Sequence, residues 1–240
     1  MRTLFTLILA TLLLAIPAIA SEDNTGTEEG ISTVVLWDNG PFITSYGTGF
    51  DGADESVLHE SNSTRGWKCR FSTDLRLGDD FEVPEGEIWE ITSITLYAYK
   101  TEGGVQSHIS GAYIEILDGP PETGTSAWGD LSTNVMTSTS FTNVYRVRFS
   151  DQCTDNTYRP ISASVSEFSS PITLTAGTYF LCWLHEGIDN VTLYNPAVTI
   201  DGVVETGNAL AYEYETWVPV VDGESKGFPF IIEGTSSSAL

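Results

Sequence analysis

From Ile31 onward the chain is a series of short apolar runs broken by Gly, Pro, Asn and Asp, and none of the runs keeps the i, i+3, i+4 spacing of an amphipathic helix. Alternation is clearest in Trp89 to Tyr99, where Ile94, Leu96 and Ala98 fall on one face and Ile91, Thr95, Tyr97 and Tyr99 on the other. Ala112, Ile114 and Ile116 share a face with Glu115 opposite, and Asp118-Gly119-Pro120-Pro121 ends that strand. Thr178 to His185 is apolar on both faces, which predicts a central strand entered through the turn at Gly177. Further strands are predicted over Thr33–Trp37, Asp80–Val83, Asn143–Phe149, Ile161–Val165, Asn190–Tyr194, Ala209–Tyr214 and Phe228–Glu233. Many short strands with turn signals between them predict an all-β fold, an antiparallel two-sheet β-sandwich of jelly-roll type.

The ends of the chain differ from this pattern. Arg2 precedes an apolar run from Leu4 to Ile16, and Ala18-Ile19-Ala20 supplies a small-x-small cleavage site, so residues 1–20 read as a secretory signal peptide. The expected address is therefore outside the cytoplasm, secreted or associated with the cell surface. Residues 21–30, SEDNTGTEEG, are acidic and read as a disordered spacer; residues 31–234 form a single expected domain, and residues 235–240 a flexible tail. No later apolar run is long enough for a membrane-spanning helix, so none is expected in the mature chain.

Charge narrows the partners. The chain has 33 Asp and Glu against 10 Lys and Arg, a formal net charge of −23, which disfavours nucleic acid as a partner. Excess acid suits either a solvated surface or Ca²⁺ sites. Asp51, Asp54 and Glu55 lie within five residues and are the candidate metal ligands, although they lack the spaced acidic loop of an EF-hand. Cys182 sits in an apolar run and reads as a buried hydrophobe, whereas Cys69 and Cys153 sit in polar sequence and are the expected disulfide pair.

Catalytic motifs are absent from the sequence. His59, His108 and His185 are far apart and none belongs to an H-E-x-x-H arrangement; no Gly-x-Ser-x-Gly elbow occurs. Carboxylate pairs for glycoside hydrolysis are available, but in so acidic a chain their presence discriminates little. Aromatic residues say more. Trp128 and Trp217 lie beside turn residues, and Tyr212, Tyr214 and Trp217 cluster late in the chain, so these four are the candidate platform for stacking on sugar rings.

The segments Leu77-Gly78-Asp79-Asp80-Phe81-Glu82-Val83-Pro84, Trp89 to Thr101, Asp118-Gly119-Pro120-Pro121, Asn143-Val144-Tyr145-Arg146, Arg159-Pro160-Ile161, Gly177-Thr178-Tyr179-Phe180 and Gly207-Asn208-Ala209 together resemble a pattern in uncharacterised secreted bacterial β-sandwich proteins. That resemblance, spanning roughly Leu36 to Glu233, implies a fold and an extracellular address, and assigns no activity to particular residues.

The leading expectation is a non-catalytic extracellular binding, adhesive or structural module, carbohydrate-binding and stiffened by Ca²⁺. A secreted hydrolase that acts on polysaccharide through paired carboxylates is the alternative. A third reading is a subunit of a surface polymer in which Ser21 to Leu36 lends a strand to a neighbouring subunit. Each predicts a different feature: exposed aromatic rings, two carboxylates facing across a cleft, or an unpaired N-terminal strand.

Overall fold

The computed structural model describes residues 33–151 and 153–239. The signal peptide and the acidic spacer lie outside the described residues. The chain is all-β: among the described residues there is no α-helix, only short 3₁₀ turns at Phe50–Gly52, Phe71–Thr73 and Ile188–Asn190. No helix there is long and apolar enough to cross a membrane.

The strands are β1 (Val34–Asp38), β2 (Asp54–Leu58), β3 (Trp67–Cys69), β4 (Arg76–Tyr99), β5 (Ile109–Leu117), β6 (Ser126–Asn134), β7 (Ser138–Arg148), β8 (Pro160–Gly187), β9 (Leu193–Asn195), β10 (Leu210–Glu213), β11 (Thr216–Pro219), β12 (Val221–Asp222), β13 (Glu224–Ser225) and β14 (Phe230–Ser238). Asp80–Val83 and Trp89–Tyr99, expected as separate strands, belong to β4, and Ile161–Val165 and Thr178–His185 belong to β8. Strands β2, β3, β6, β11, β12 and β13 carry too little apolar alternation to have been expected.

Two separate antiparallel sheets were expected, but the main sheet is continuous and mixed. Its order is β1-β14-β4-β8-β5-β6, with β10 and β11 extending from β4, β7 and β2 from β8, and β9 and β3 from the end of β4. β2 pairs with β7 in parallel; the other main-sheet pairs are antiparallel. Continuity arises because β4 and β8, 24 and 28 residues long, stay paired from Leu77↔Trp183 to Tyr99↔Ile161. The ladder shifts register twice, between Val83 and Ile88 and between Ile91 and Ser93, and the sheet curls.

Inside the curl, one cluster joins Leu77, Phe81, Trp89, Ile94 and Leu96 of β4 with Ile114 and Ile116, Leu181 and Trp183, and Phe230 and Ile232. The residues expected on a central strand, Tyr179 to His185, are all buried: Leu181 and Trp183 face the main cluster, while Phe180 and Cys182 pack with Leu117, Leu210 and Trp217 on the other face. Ile94, Leu96 and Ala98, expected on one face, all point inward. Ile91 does too, against the expectation that it sides with Thr95 and Tyr97: Thr92 bulges out where Glu233 and Gly234 of β14 pair with Ser93 and Ile91, and this extra residue reverses the facing of everything upstream.

At the C-terminal end, residues 235–238, expected in a flexible tail, extend β14. Thr235 to Ser238 pair with Glu90 to Glu87, so backbone hydrogen bonding substitutes for the missing apolar side chains. The described part of the expected donor segment also pairs within its own chain, where β1 runs against β14.

Candidate functional site

The face of the sheet turned away from the core has two adjoining concavities, and the same rows of residues build both. From Ser93 to Tyr99 every second residue of β4 points outward, with no register shift to interrupt the alternation. Across neighbouring strands this gives the rows Glu233–Ser93–Glu167, Ile231–Thr95–Val165 and, one step further along, Tyr97–Ala163.

The first concavity, about 390 Å³, is mainly apolar and aromatic, with Phe42, Tyr46 and Tyr97 around it and Asp38 and Thr142 as polar groups. The Phe42 and Tyr97 rings lie 4.5 Å apart, tilted by 49°. Tyr46 is 76% exposed and stands at the rim. Burial raises the Tyr97 hydroxyl to about 12, and the carboxylates of Asp38 and Glu233 push it in the same direction, so it is a neutral donor and acceptor at physiological pH.

Local chemistry fixes the wall of this cleft. The Asp38 carboxylate accepts the Gly40 N–H at 3.1 Å, and Gly40 turns the chain at φ +97°, where a side chain would be strained. Asn39 fastens the turn to the core by donating to Asp79 Oδ2 at 2.8 Å and to the Phe228 carbonyl at 2.9 Å. Further on, Asp54 Oδ1 accepts the Gly47 N–H at 2.8 Å, and Glu55 Oε2 accepts from the Thr48 hydroxyl at 2.7 Å. These two acids thereby hold the loop that presents Tyr46.

The three candidate metal ligands are placed around this loop. Asp51 sits in the 3₁₀ turn at φ +57° and is exposed, while Asp54 and Glu55 spend carboxylate oxygens on the loop. Among the described residues no group of three or more His, Cys, Asp or Glu side chains is placed to hold a metal ion.

The second concavity, about 510 Å³, contains Glu167, Glu233, Ser93, Thr92, Thr137 and Phe168. Ser93 donates to Glu233 Oε2 at 2.8 Å and sits between the two acids in the row. Two strand spacings put the Glu167 and Glu233 backbones roughly 10 Å apart. Ser93 and Tyr97 are four residues apart on one strand, so the centres of the two concavities are separated by about 13 Å along β4.

The four aromatic residues singled out in the sequence do not form one platform. Tyr212 and Trp217 are a cross-strand pair on β10 and β11, with ring centroids 5.4 Å apart and planes tilted by 59°. Arg76 covers Tyr212 at 4.6 Å, and Trp217 packs edge-on against Phe180 at 5.9 Å. Tyr214 is 95% exposed at the tip of that hairpin, away from the pair. Trp128 belongs to another part of the fold, 4.8 Å from Phe168, where it backs the wall of the carboxylate concavity. Sequence reading missed Phe42 and Tyr46 because they sit in a loop without strand alternation, and only folding brings that loop over Tyr97.

The cysteines are likewise separate. All three thiols are free. Cys69 is buried on β3, where its sulfur accepts the His185 N–H at 3.2 Å, whereas Cys153 packs beside Ala53, Tyr145 and Tyr158 in a different cluster, so the expected Cys69–Cys153 bridge is not formed. Burial raises both thiols, which disfavours the reactive thiolate.

No protein-family model matches the chain, and no curated protein sequence is significantly similar to it.

Proposed function

We propose that the protein is a secreted or surface-associated, non-catalytic carbohydrate-binding module whose halves are the layers of a jelly-roll-type sandwich. The observation that carries this reading is the aromatic cleft opening onto the same face as the carboxylate row. A pyranose ring has apolar C–H faces that stack on aromatic rings and equatorial hydroxyls that donate to carboxylates. A polysaccharide strand lying along β4 would place one sugar between Tyr46 and Tyr97, with Asp38 as hydroxyl acceptor. Sugars further along would meet Ser93, Glu233 and Glu167. The span of about 13 Å suits an oligosaccharide better than a monosaccharide.

A polysaccharide array, run with and without calcium chelation and followed by calorimetry on the retained ligand, tests this. Tyr46→Ala removes an exposed ring and is expected to weaken binding roughly tenfold, about 1.4 kcal/mol, with the melting temperature unchanged. Failure of the wild-type protein to bind any polysaccharide would overturn the reading.

The Glu233–Ser93–Glu167 row supports polysaccharide hydrolysis as a second reading. With backbones roughly 10 Å apart, the side chains can bring their carboxyl groups to the ~6.5–9.5 Å separation of an inverting pair. In that case reducing ends appear during incubation, and Glu167→Gln or Glu233→Gln abolishes them. Retention without product release would leave the binding reading alone.

A further inference from the structure

Basic residues are scarce in this chain, 10 against 33 acids, yet three arginines converge at one end of the outward row of β4. Two residues beyond Tyr97, about 7 Å further along the strand, Tyr99 points the same way. A third concavity, about 240 Å³, opens there, lined by Arg65, Gly66, Tyr99, Thr101, Arg159 and Tyr194. The Tyr99 and Tyr194 rings stack with centroids 5.8 Å apart and planes tilted by 22°. The Tyr99 hydroxyl stands over Gly66, where a Cβ would come within 2.8 Å of it.

Both arginines that line the concavity have donors to spare. Arg65 donates from Nη2 to Asp151 at 3.3 Å, and its Nε has no hydrogen-bond partner. Arg159 lies over the Tyr158 ring at 4.4 Å, forms no ion pair among the described residues and leaves Nη1 without a partner. Arg146, fully buried, donates to the Arg65 carbonyl at 2.8 Å and is thereby tied to the same segment. Burial raises the Tyr99 hydroxyl while Arg146, Arg159 and Arg65 act to lower it; burial prevails, leaving a neutral donor within reach of three guanidinium charges. Two carboxylates answer them. Asp151, which also accepts from the Tyr158 hydroxyl, acts on Arg65 and Arg159, and Asp222 acts on Arg146. Glu102, next to Thr101 in the chain, is exposed to solvent, which screens it. Among these groups one positive charge is left over.

We propose that this concavity binds the carboxylate of a single sugar acid, a hexuronate at one end of an otherwise neutral glycan. Guanidinium forks match a planar carboxylate, and the half-buried Tyr194 ring offers an apolar wall to the C–H face of the sugar. The volume, below the ~300–1,000 Å³ of drug-sized pockets, suits one ring. A net charge of −23 repels polyanions, and Glu233 and Glu167 at the other end of the row disfavour a second acid there. The place of this sugar within a glycan rests on the carbohydrate reading above, to which it adds the direction of the chain along β4.

Calorimetry on the full chain at neutral pH compares sodium glucuronate, glucose and sodium acetate at equal ionic strength, with a thermal melt of each variant alongside. Glucuronate is expected to bind roughly tenfold more tightly than glucose, which lacks the charge, or acetate, which lacks the ring. Arg159→Gln should remove that preference at an unchanged melting temperature, and Tyr46→Ala, altered only at the aromatic cleft, should keep it. Should Arg159→Gln fail to fold, Arg159→Lys, which keeps the charge and loses the fork, is expected to weaken glucuronate binding severalfold. Equal affinity for glucuronate and glucose, acetate binding as well as glucuronate, or a preference that survives the substitution of Arg159 would overturn the proposal and leave the carbohydrate reading to the polysaccharide array. A preference for glucuronate in a protein that retains no polysaccharide on that array would instead overturn the carbohydrate-module reading and uphold the sugar-acid site.

Discussion

Asp54 and Glu55 show what a carboxylate does beyond carrying charge. Both are acids in an acid-rich stretch, but each accepts a hydrogen bond that shapes the Tyr46 loop. Asp54→Ala is therefore expected to cost about 1 kcal/mol of stability while weakening polysaccharide binding by a larger factor than the stability loss explains, which calorimetry beside a denaturant melt would reveal. Gly78 shows the same dependence on context. A Cβ there would run into the Phe180 ring and lie 2.9 Å from the Leu181 carbonyl. Gly78→Ala should lower stability by roughly 1–3 kcal/mol, read as a shift of the urea midpoint at constant m-value. Residue chemistry was legible where local sequence decides it, as for the inward Ile94, Leu96 and Ala98. It was not legible for Phe42, Tyr46 and Tyr97, because loop closure brings them together across a large sequence separation.

Turn chemistry and register set the limits of what could be read at the scale of elements. The strands with strong alternation were found, but the register shift between Ile91 and Ser93 has no sequence marker, so Ile91 was assigned to the wrong face. The serine-rich end of β14 gives no apolar signal either, and its partner Trp89–Glu87 segment determines its structure. The β10–β11 hairpin closes through Tyr214 and Glu215 at φ +52° and +63°. A two-residue turn with both residues in that region is type I′, which favours Asn-Gly. Replacing Tyr214-Glu215 by Asn-Gly should therefore stabilise the protein by about 1 kcal/mol. A decrease in melting temperature would instead give the exposed tyrosine a packing role.

Two buried groups with opposite linkage determine much of how the whole molecule responds to pH. His185 is fully buried, and burial lowers its pKa from 6.5 to about 4, so the stability it contributes is complete above 6.5 and lost as pH falls toward 4. Asp79 is raised from 3.8 to about 7, first by burial, despite accepting hydrogen bonds from Asn39 and Phe228. The folded state therefore holds a proton that the unfolded state has released. Stability from Asp79 is complete below 3.8 and lost as pH rises toward 7. Between pH 4 and 6.5 the two effects oppose one another. His185→Gln should make the melting temperature fall with rising pH in that window, and Asp79→Asn should make it rise, each slope at most about 1.4 kcal/mol per pH unit. Parallel slopes in the two variants would refute the assignment. The long β4–β8 pairing also constrains the route to the native state. The four strands that pair with β4, namely β8, β9, β10 and β14, all follow it in the chain, and Leu77 finds Trp183 only after roughly 100 intervening residues have been placed. A chain emerging from its N-terminus first would hold the 24-residue β4, with core residues Leu77, Phe81, Trp89, Ile94 and Leu96, without partners until β8 follows. Collapse would then be slow, and most prone to aggregation before residue 187 is available.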